Sequence, residues 1–374
     1  MKIILAPDKY KGSLTGLEFC NSIAPILKTT LDAKVIKMPL ADGGDGTIEV
    51  VNYYLKGEVI QAEVMNPVFD TVTAAFLYSE TSKIAFIEMA EASGMKLLQP
   101  ADQNCMNTTT VGTGELILNA IDKGAQHIIL GIGGSATNDC GIGMAHALGY
   151  RFLDKNGKEV KPIGKELINI YKIDATKVDQ RLKSIKFQIA CDVTNPLYGP
   201  HGAAHIYAKQ KGATTEEIEY LDKGLQRFSK VLDTHFNLKT QTIGGAGAAG
   251  GMGAGAIAFL NGELLPGIEV IKQIADFDTY VKDADWIITG EGKLDHQTLS
   301  GKTLSGVLTS ANTYKIKVAA FCGSIELQPE ELKQMGIVYS DAIINKAKNL
   351  EDALANTTRY LEQITKAFTD FINQ

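Results

Sequence analysis

The sequence predicts an α/β protein of two lobes: a parallel, doubly wound sheet formed by both ends of the chain, and a mixed α/β domain inserted between them. Three observations carry this. Short apolar runs alternate with amphipathic helical patterns near both termini. The middle of the chain instead sets three apolar runs one after another across short turns, the mark of antiparallel pairing. At 374 residues the chain is also long for a single core, so two domains are the default expectation. The expected boundaries are 1–58 with 285–374 for the discontinuous domain and 59–284 for the insertion.

Taken in order, residues 3–7 (IILAP) read as a strand, 14–30 as an amphipathic helix and 34–40 (KVIKMPL) as a second strand. The DGGDGT stretch then opens a helix running to about residue 55. Residues 60–67, 72–79 and 83–90 are the antiparallel runs, and Asn156-Gly157 is a hairpin turn signal between YRFLD and KEV. Thr214 with Glu217 forms a capping box that starts a long helix through about residue 236. Near the C-terminus, 285–290, 317–323 and 341–346 read as buried strands, and a long helix follows from about 350.

The formal net charge of −6 does not suggest a nucleic-acid surface. The five cysteines, at 20, 105, 140, 191 and 322, contain no CxxC pair, which fits reduced thiols and neither a disulfide framework nor a zinc site. No apolar run approaches the roughly twenty residues that span a bilayer. The run Ile3-Ile4-Leu5-Ala6 is cut by Pro7 and Asp8, too short for a signal-peptide core. The expected location is the cytoplasm, without a membrane or nucleic-acid partner; the assembly is left open, a homodimer included.

Six glycine-punctuated loops carry the chemistry: DKYKGS (8–13), ADGGDGT (41–47), GIGGSATNDCG (131–141), CDVTNPLYGPHG (191–202), GGAGAAGGMGAG (244–255) and TGEGKLD (289–295). Several follow an apolar run and lead into a helix, which places them at the carboxyl edge of α/β sheets, where ligands bind. Bare glycine amides suit anionic oxygens. Acids in the same loops suit a metal ion or a proton acceptor. Lys9, Lys11, Lys209, Lys211, Lys293 and Lys302 lie in or beside these loops. The set points to an enzyme that handles phosphate.

Each motif has a plainer alternative. Gly131-x-Gly133-x-x-Ala136 matches a dinucleotide fingerprint, with Asp154 at about the right distance, so a NAD-dependent dehydrogenase is a rival reading. The loop is more polar than a pyrophosphate turn requires, and Gly245-x-Gly247-x-x-Gly250 repeats the match elsewhere. Ser300-Gly301-Lys302-Thr303 resembles the tail of a P-loop, but His296 stands where its first glycine belongs. Asp42 and Asp45 do not make a calcium loop, since position 53 is Tyr; Asp45 reads as a helix cap. Asp192, at a strand end, is either a proton acceptor or a structural turn residue. His201 and His205 lack the glutamate of a zinc helix. The 244–255 stretch allows close backbone approach, tight packing or a hinge between lobes.

With these loops collected, the chain resembles the type I glycerate kinase family over almost its whole length. The resemblance rests on APDKYKGSL (6–14), PLADGGDGT (39–47), GTGELI (112–117), GIGGSATNDCGIGMAHALG (131–149), CDVTNPLYGP (191–200), GAGAAGGMGAG (245–255), ITGEGKLDHQTLSGK (288–302) and Gly323-Ser324. Typical members carry Ser-Phe where Lys9-Tyr10 stands, Glu for Asp45 and Gly for Cys140. The resemblance implies transfer of the γ-phosphoryl group of ATP, with Mg²⁺, to D-glycerate, giving 2-phosphoglycerate. It also implies that the lobe formed from both termini is flavodoxin-like.

Phosphoryl transfer needs positioning, charge neutralisation and a proton acceptor. Asp192 is the candidate base on the substrate hydroxyl and Asp295 its rival. Asp42 and Glu291 are the Mg²⁺ candidates, because Mg²⁺ takes few carboxylates. Asp8, Lys11, Ser13 and Asp42 are candidate substrate contacts, Lys11 for the glycerate carboxylate. Gly133 and Gly134, with Ser135, Thr137 and Asn138, form the candidate nucleotide phosphate cradle.

Overall fold

The computed structural model describes residues 1–43, 46–296 and 303–374. The chain divides into two compact units, Met1–Tyr54 with Pro266–Gln374, and Leu55–Leu265.

The terminal unit is built on five parallel strands in the order Ile337–Ala342, Lys317–Cys322, Trp286–Thr289, Lys2–Leu5, Lys34–Lys37. Apart from Lys2, Lys317 and Thr289, the inner strands are apolar because both faces are covered. On one face, Ile3, Leu5, Trp286, Ile288 and Phe321 pack with Phe19 and Ile23 of helix Gly16–Leu31 and with Leu361, Ile364 and Phe368 of helix Thr357–Ile372. Alternation sends Ile4, Ile287, Val318 and Ala320 to the opposite face, where they are also buried and helix Thr303–Tyr314 packs on the strands Trp286–Thr289 and Lys317–Cys322. Helix Gly16–Leu31 begins at the capping box of Thr15 and Glu18.

Three details depart from the sequence reading. Residues 266–284, expected in the insertion, group with the terminal unit, where helix Gly267–Ile274 packs on helix Thr303–Tyr314. The last strand is Ile337–Ala342, not 341–346. It is an edge strand with half its side chains in solvent, so its apolar signal is weak, and the buried Ile343 that drew the reading downstream lies in a 3₁₀ turn. The C-terminal helix is two helices, Leu350–Ala355 and Thr357–Ile372, broken at Asn356 (φ −119°, ψ 25°).

The insertion contains a six-stranded sheet in the order Glu263–Leu265, Lys186–Ala190, His127–Gly131, Ile84–Glu88, Thr71–Ser79, Glu58–Met65. The first four strands are parallel and the last three form an antiparallel meander. Gly157 (φ 79°) makes the expected turn, but strand Arg151–Leu153 pairs mainly with Lys172–Asp174. Thr214 and Glu217 cap helix Thr215–Phe236. All five cysteines are free thiols. Among the described residues, no helix is long and apolar enough to cross a membrane.

Candidate functional site

In a parallel sheet every strand ends at the same edge, so the loops that follow share one side of the molecule. The terminal unit uses all five. Asp8, Lys9 and Lys11 follow the strand Lys2–Leu5, and Asp42 follows Lys34–Lys37. Glu291 and Lys293 follow Trp286–Thr289, Gly323 and Ser324 follow Lys317–Cys322, and Ile344 follows Ile337–Ala342. All of them line one cavity of about 580 Å³, whose lining also includes Leu350 and Leu354. Of the residues singled out in the sequence, this cavity gathers Asp8, Lys11, Ser13, Asp42 and Glu291.

The loops are held by tight backbone contact. Gly323 and Ser324 donate their amides to the carbonyls of Glu291 (3.0 Å) and Gly292 (3.1 Å). The Tyr10 hydroxyl donates to the Phe321 carbonyl, and its ring stacks on Phe19 at 5.6 Å. A Cβ at Gly290 would lie 2.0 Å from the Phe321 carbonyl oxygen and 2.5 Å from the Tyr10 hydroxyl, so only glycine fits there.

Asp8 accepts hydrogen bonds from the Thr303 hydroxyl and from the Lys9 amide. Burial, with the charge of Asp42 adding to it, pushes the Asp8 carboxyl up to about 6 against the pull of Thr303 and Lys9. Asp295 is half-buried and paired with Lys293 at 3.3 Å; Lys293 also meets Glu326 at 2.9 Å. Ser13 lies in the cavity wall, but its hydroxyl engages Thr357 at 2.5 Å, which makes it a brace between loop and helix. Asp45 and residues 297–302, with Lys302, lie outside the described residues.

Mg²⁺ is implied by the chemistry, and the donor set fits it. Among the described residues no three His, Cys, Asp or Glu side chains form a metal cage. Mg²⁺ asks for one or two carboxylates plus phosphate oxygens and water. The Asp8 carboxyl is raised chiefly by burial, with the charge of Asp42 adding to it, and a divalent cation beside these two acids would favour their ionised forms.

The insertion carries the other loops. The 131–141 and 191–202 loops leave neighbouring parallel strands, His127–Gly131 and Lys186–Ala190. Gly133 and Gly134 are exposed, while Ser135, Thr137 and Asn138 are buried. None of the amides of residues 133–135 donates to a backbone carbonyl among the described residues. The Thr137 hydroxyl and both polar ends of the Asn138 amide are buried without a hydrogen-bond partner. Asp192 is exposed at the end of its strand.

Two residues of this region hold it together in ways the sequence did not indicate: Lys211, noted there only as one of the lysines beside the loops, and Asp139. The Lys211 ammonium, 3% exposed, donates to the Ser135 hydroxyl and the Thr137 carbonyl, both at 2.7 Å. Burial lowers its pKa to about 8, with Cys105 and Asp139 acting in the other direction. Asp139, fully buried, accepts from the Thr110 amide (2.9 Å) and hydroxyl (2.8 Å) and from the amides of Gly141 and Gly143 (3.2 Å each). Its carboxyl is raised by burial and held back by those bonds. A lysine in a polar run and an acid in a loop gave no sign of burial in the sequence.

The 244–255 stretch is a packing device inside the insertion, not a hinge. Its left-handed residue Gly250 (φ 70°) sits so close to residues 137–138 that a Cβ would lie 2.1 Å from the Thr137 carbonyl oxygen. The dinucleotide reading also fails on geometry. Ala136 precedes the helix Ile142–Ala147 and donates its amide to Ser93, so no helix N-terminus meets the fingerprint. Asp154 caps a turn by accepting from Asn156 and Lys158.

A family model described as the glycerate kinase family matches residues 3–373. A glycerate kinase of Halalkalibacterium halodurans is 42% identical over 365 residues, covering 97% of this chain and 96% of the relative. A glycerate 2-kinase of Escherichia coli is 40% identical, covering 94% and 93%. A crystal structure from Salmonella typhimurium LT2, described as a candidate glycerate kinase 2, superposes with a TM-score of 0.88 at 39% identity, covering 100% of this chain and 98% of the other. Agreement of fold, motif order and sequence from one end to the other shows that the chain belongs to the glycerate kinase family.

Proposed function

We propose that this protein transfers the γ-phosphoryl group of ATP to the 2-hydroxyl of D-glycerate with Mg²⁺, giving 2-phosphoglycerate and ADP. The observation that carries the reading is the terminal unit's cavity, where three lysines and three carboxylates from separate strand ends share one lining. Such a mixture neutralises a phosphate chain together with its divalent counter-ion. Asp42 and Glu291 hold the Mg²⁺, whose charge offsets that of the transferring phosphoryl. Asp8 and Lys11 contact substrate oxygens. The amides of residues 133–135, with Thr137 and Asn138, take phosphate oxygens. Asp192 accepts the hydroxyl proton, with Asp295, ion-paired to Lys293, as the alternative.

The reaction suits a cytoplasmic enzyme whose acceptor is a small hydroxy acid. An assay coupling ADP release to absorbance, run across a panel of such acids, tests it. ADP formed only with D-glycerate supports the reading, and the position of the phosphate is read from the phosphorus NMR spectrum of the product. ATP turnover indifferent to glycerate overturns it.

A further inference from the structure

Resting on the kinase reading, the terminal unit's cavity supports a finer assignment. A three-carbon acid fills little of about 580 Å³, a volume within the roughly 300–1,000 Å³ of cavities that enclose larger organic ligands. The lining is also two-faced. Lys9, Lys11 and Lys293 stand among carboxylates on one side. Ile343, Ile344, Leu350, Ala353 and Leu354 make the other, without a charge. Leu350 is 66% exposed and Leu354 45% exposed. One helical turn apart on Leu350–Ala355, they share a face, so they form a patch and are not scattered apolar residues.

A ligand with a flat apolar end and a polyanionic end matches such a lining. We infer that Ile344, Leu350 and Leu354 form a nucleoside wall that receives the adenine and ribose of ATP, with the phosphates toward Lys9 and Lys293. The Ser13 hydroxyl joins the two sides in advance. It bonds Thr357 at 2.5 Å and the Leu354 carbonyl at 3.4 Å, tying the lysine-bearing loop to helix Thr357–Ile372 and to the helix that carries the leucines. A wall fixed before binding lowers the ordering cost of the ligand.

The test is calorimetric titration of the parent chain and of the Leu350→Gln, Leu354→Gln double variant, once with ADP and once with inorganic tripolyphosphate. Both leucines are exposed, so the variant keeps its fold, which circular dichroism and an unchanged melting temperature verify. ADP binding should weaken about tenfold or more, while tripolyphosphate binding stays within about twofold. The KM for ATP should rise with kcat and the KM for glycerate unchanged. An unaltered ADP affinity, or an equal loss for both ligands, overturns the wall. If the double variant shows this pattern but the parent chain consumes no ATP with glycerate, the wall stands and the kinase reading falls.

Discussion

The Lys211 ammonium donates to the Ser135 hydroxyl at 2.7 Å and also holds the Thr137 carbonyl, so one buried cation fixes the segment that directly follows Gly133 and Gly134. Among the described residues it forms no ion pair; Asp139 and Cys105 act on it only through space. A buried ammonium without a contacting carboxylate destabilises a fold. The phosphate oxygens proposed for this loop would offset that cost.

Lys211→Met separates these roles. The folded pKa, about 8, lies below the ordinary 10.5. The folded chain therefore releases its proton first, and the penalty is full below pH 8 and disappears as pH climbs past 10.5. The parent should gain stability across that window, by about 3 kcal/mol at most. The methionine variant should lack the gain and melt no lower than the parent at pH 7, yet bind phosphate at least about tenfold more weakly. Melting scans from pH 7 to 10.5 decide it; a variant that melts far lower at pH 7 makes Lys211 a structural residue.

Asp139 should behave oppositely. Four donors converge on its carboxylate, and removing it leaves buried amides and a hydroxyl unmet. Asp139→Ala should lower stability by about 3 kcal/mol or more. Denaturant titration measures this, and a loss under about 1 kcal/mol would contradict the anchoring role.

Asp8 predicts a pH effect in magnesium-free solution. Its folded carboxyl titrates at about 6, above the ordinary 3.8. The folded state thus holds the proton more tightly. The protein should lose stability as pH rises from about 4 through 6, by about 3 kcal/mol at most. Asp8→Asn should flatten that slope and be at least as stable as the parent at pH 7.5. A parent curve that is level between pH 4 and 7 rules the burial effect out.

Asp42→Asn and Glu291→Gln should each raise the Mg²⁺ concentration for half-maximal rate, on the order of tenfold. The comparison is a metal titration at saturating ATP and glycerate. Identical titrations in both variants and the parent would remove these residues from the metal's surroundings.

Asp192→Asn should lower kcat by a factor on the order of a hundred while leaving the melting temperature unchanged. If turnover stays near normal and Asp295→Asn loses it, the proton acceptor is Asp295.

The parallel terminal sheet was legible because its inner strands are short, apolar on both faces and followed by glycine loops. The edge strand Ile337–Ala342 was displaced in the reading because solvent claims one of its faces. Candidate site residues such as Asp8, Asp42 and Glu291 were visible through position alone, as acids after strand-like runs. Lys211 was visible only as one of several lysines beside the loops, and Leu354 not at all. The importance of the first lies in its burial and of the second in its exposure, and neither property is written in local sequence. Ser13 shows the converse, a hydroxyl in a conspicuous motif that turns out to brace a helix.

The pairing of Ile3 with Trp286 has a bearing on how the molecule is made. The two central ribbons of the terminal sheet leave the ribosome nearly three hundred positions apart, whereas Leu55–Leu265 emerges as one uninterrupted stretch. At about 5–20 residues per second, the opening segment waits roughly ten seconds to a minute for its neighbour. The unit in the middle is free to close in that interval. Maturation can therefore run from the inside outward, and a chain halted near residue 270 carries a centre able to close and a leading strand joined only to Lys34–Lys37, its edge toward Trp286 still open.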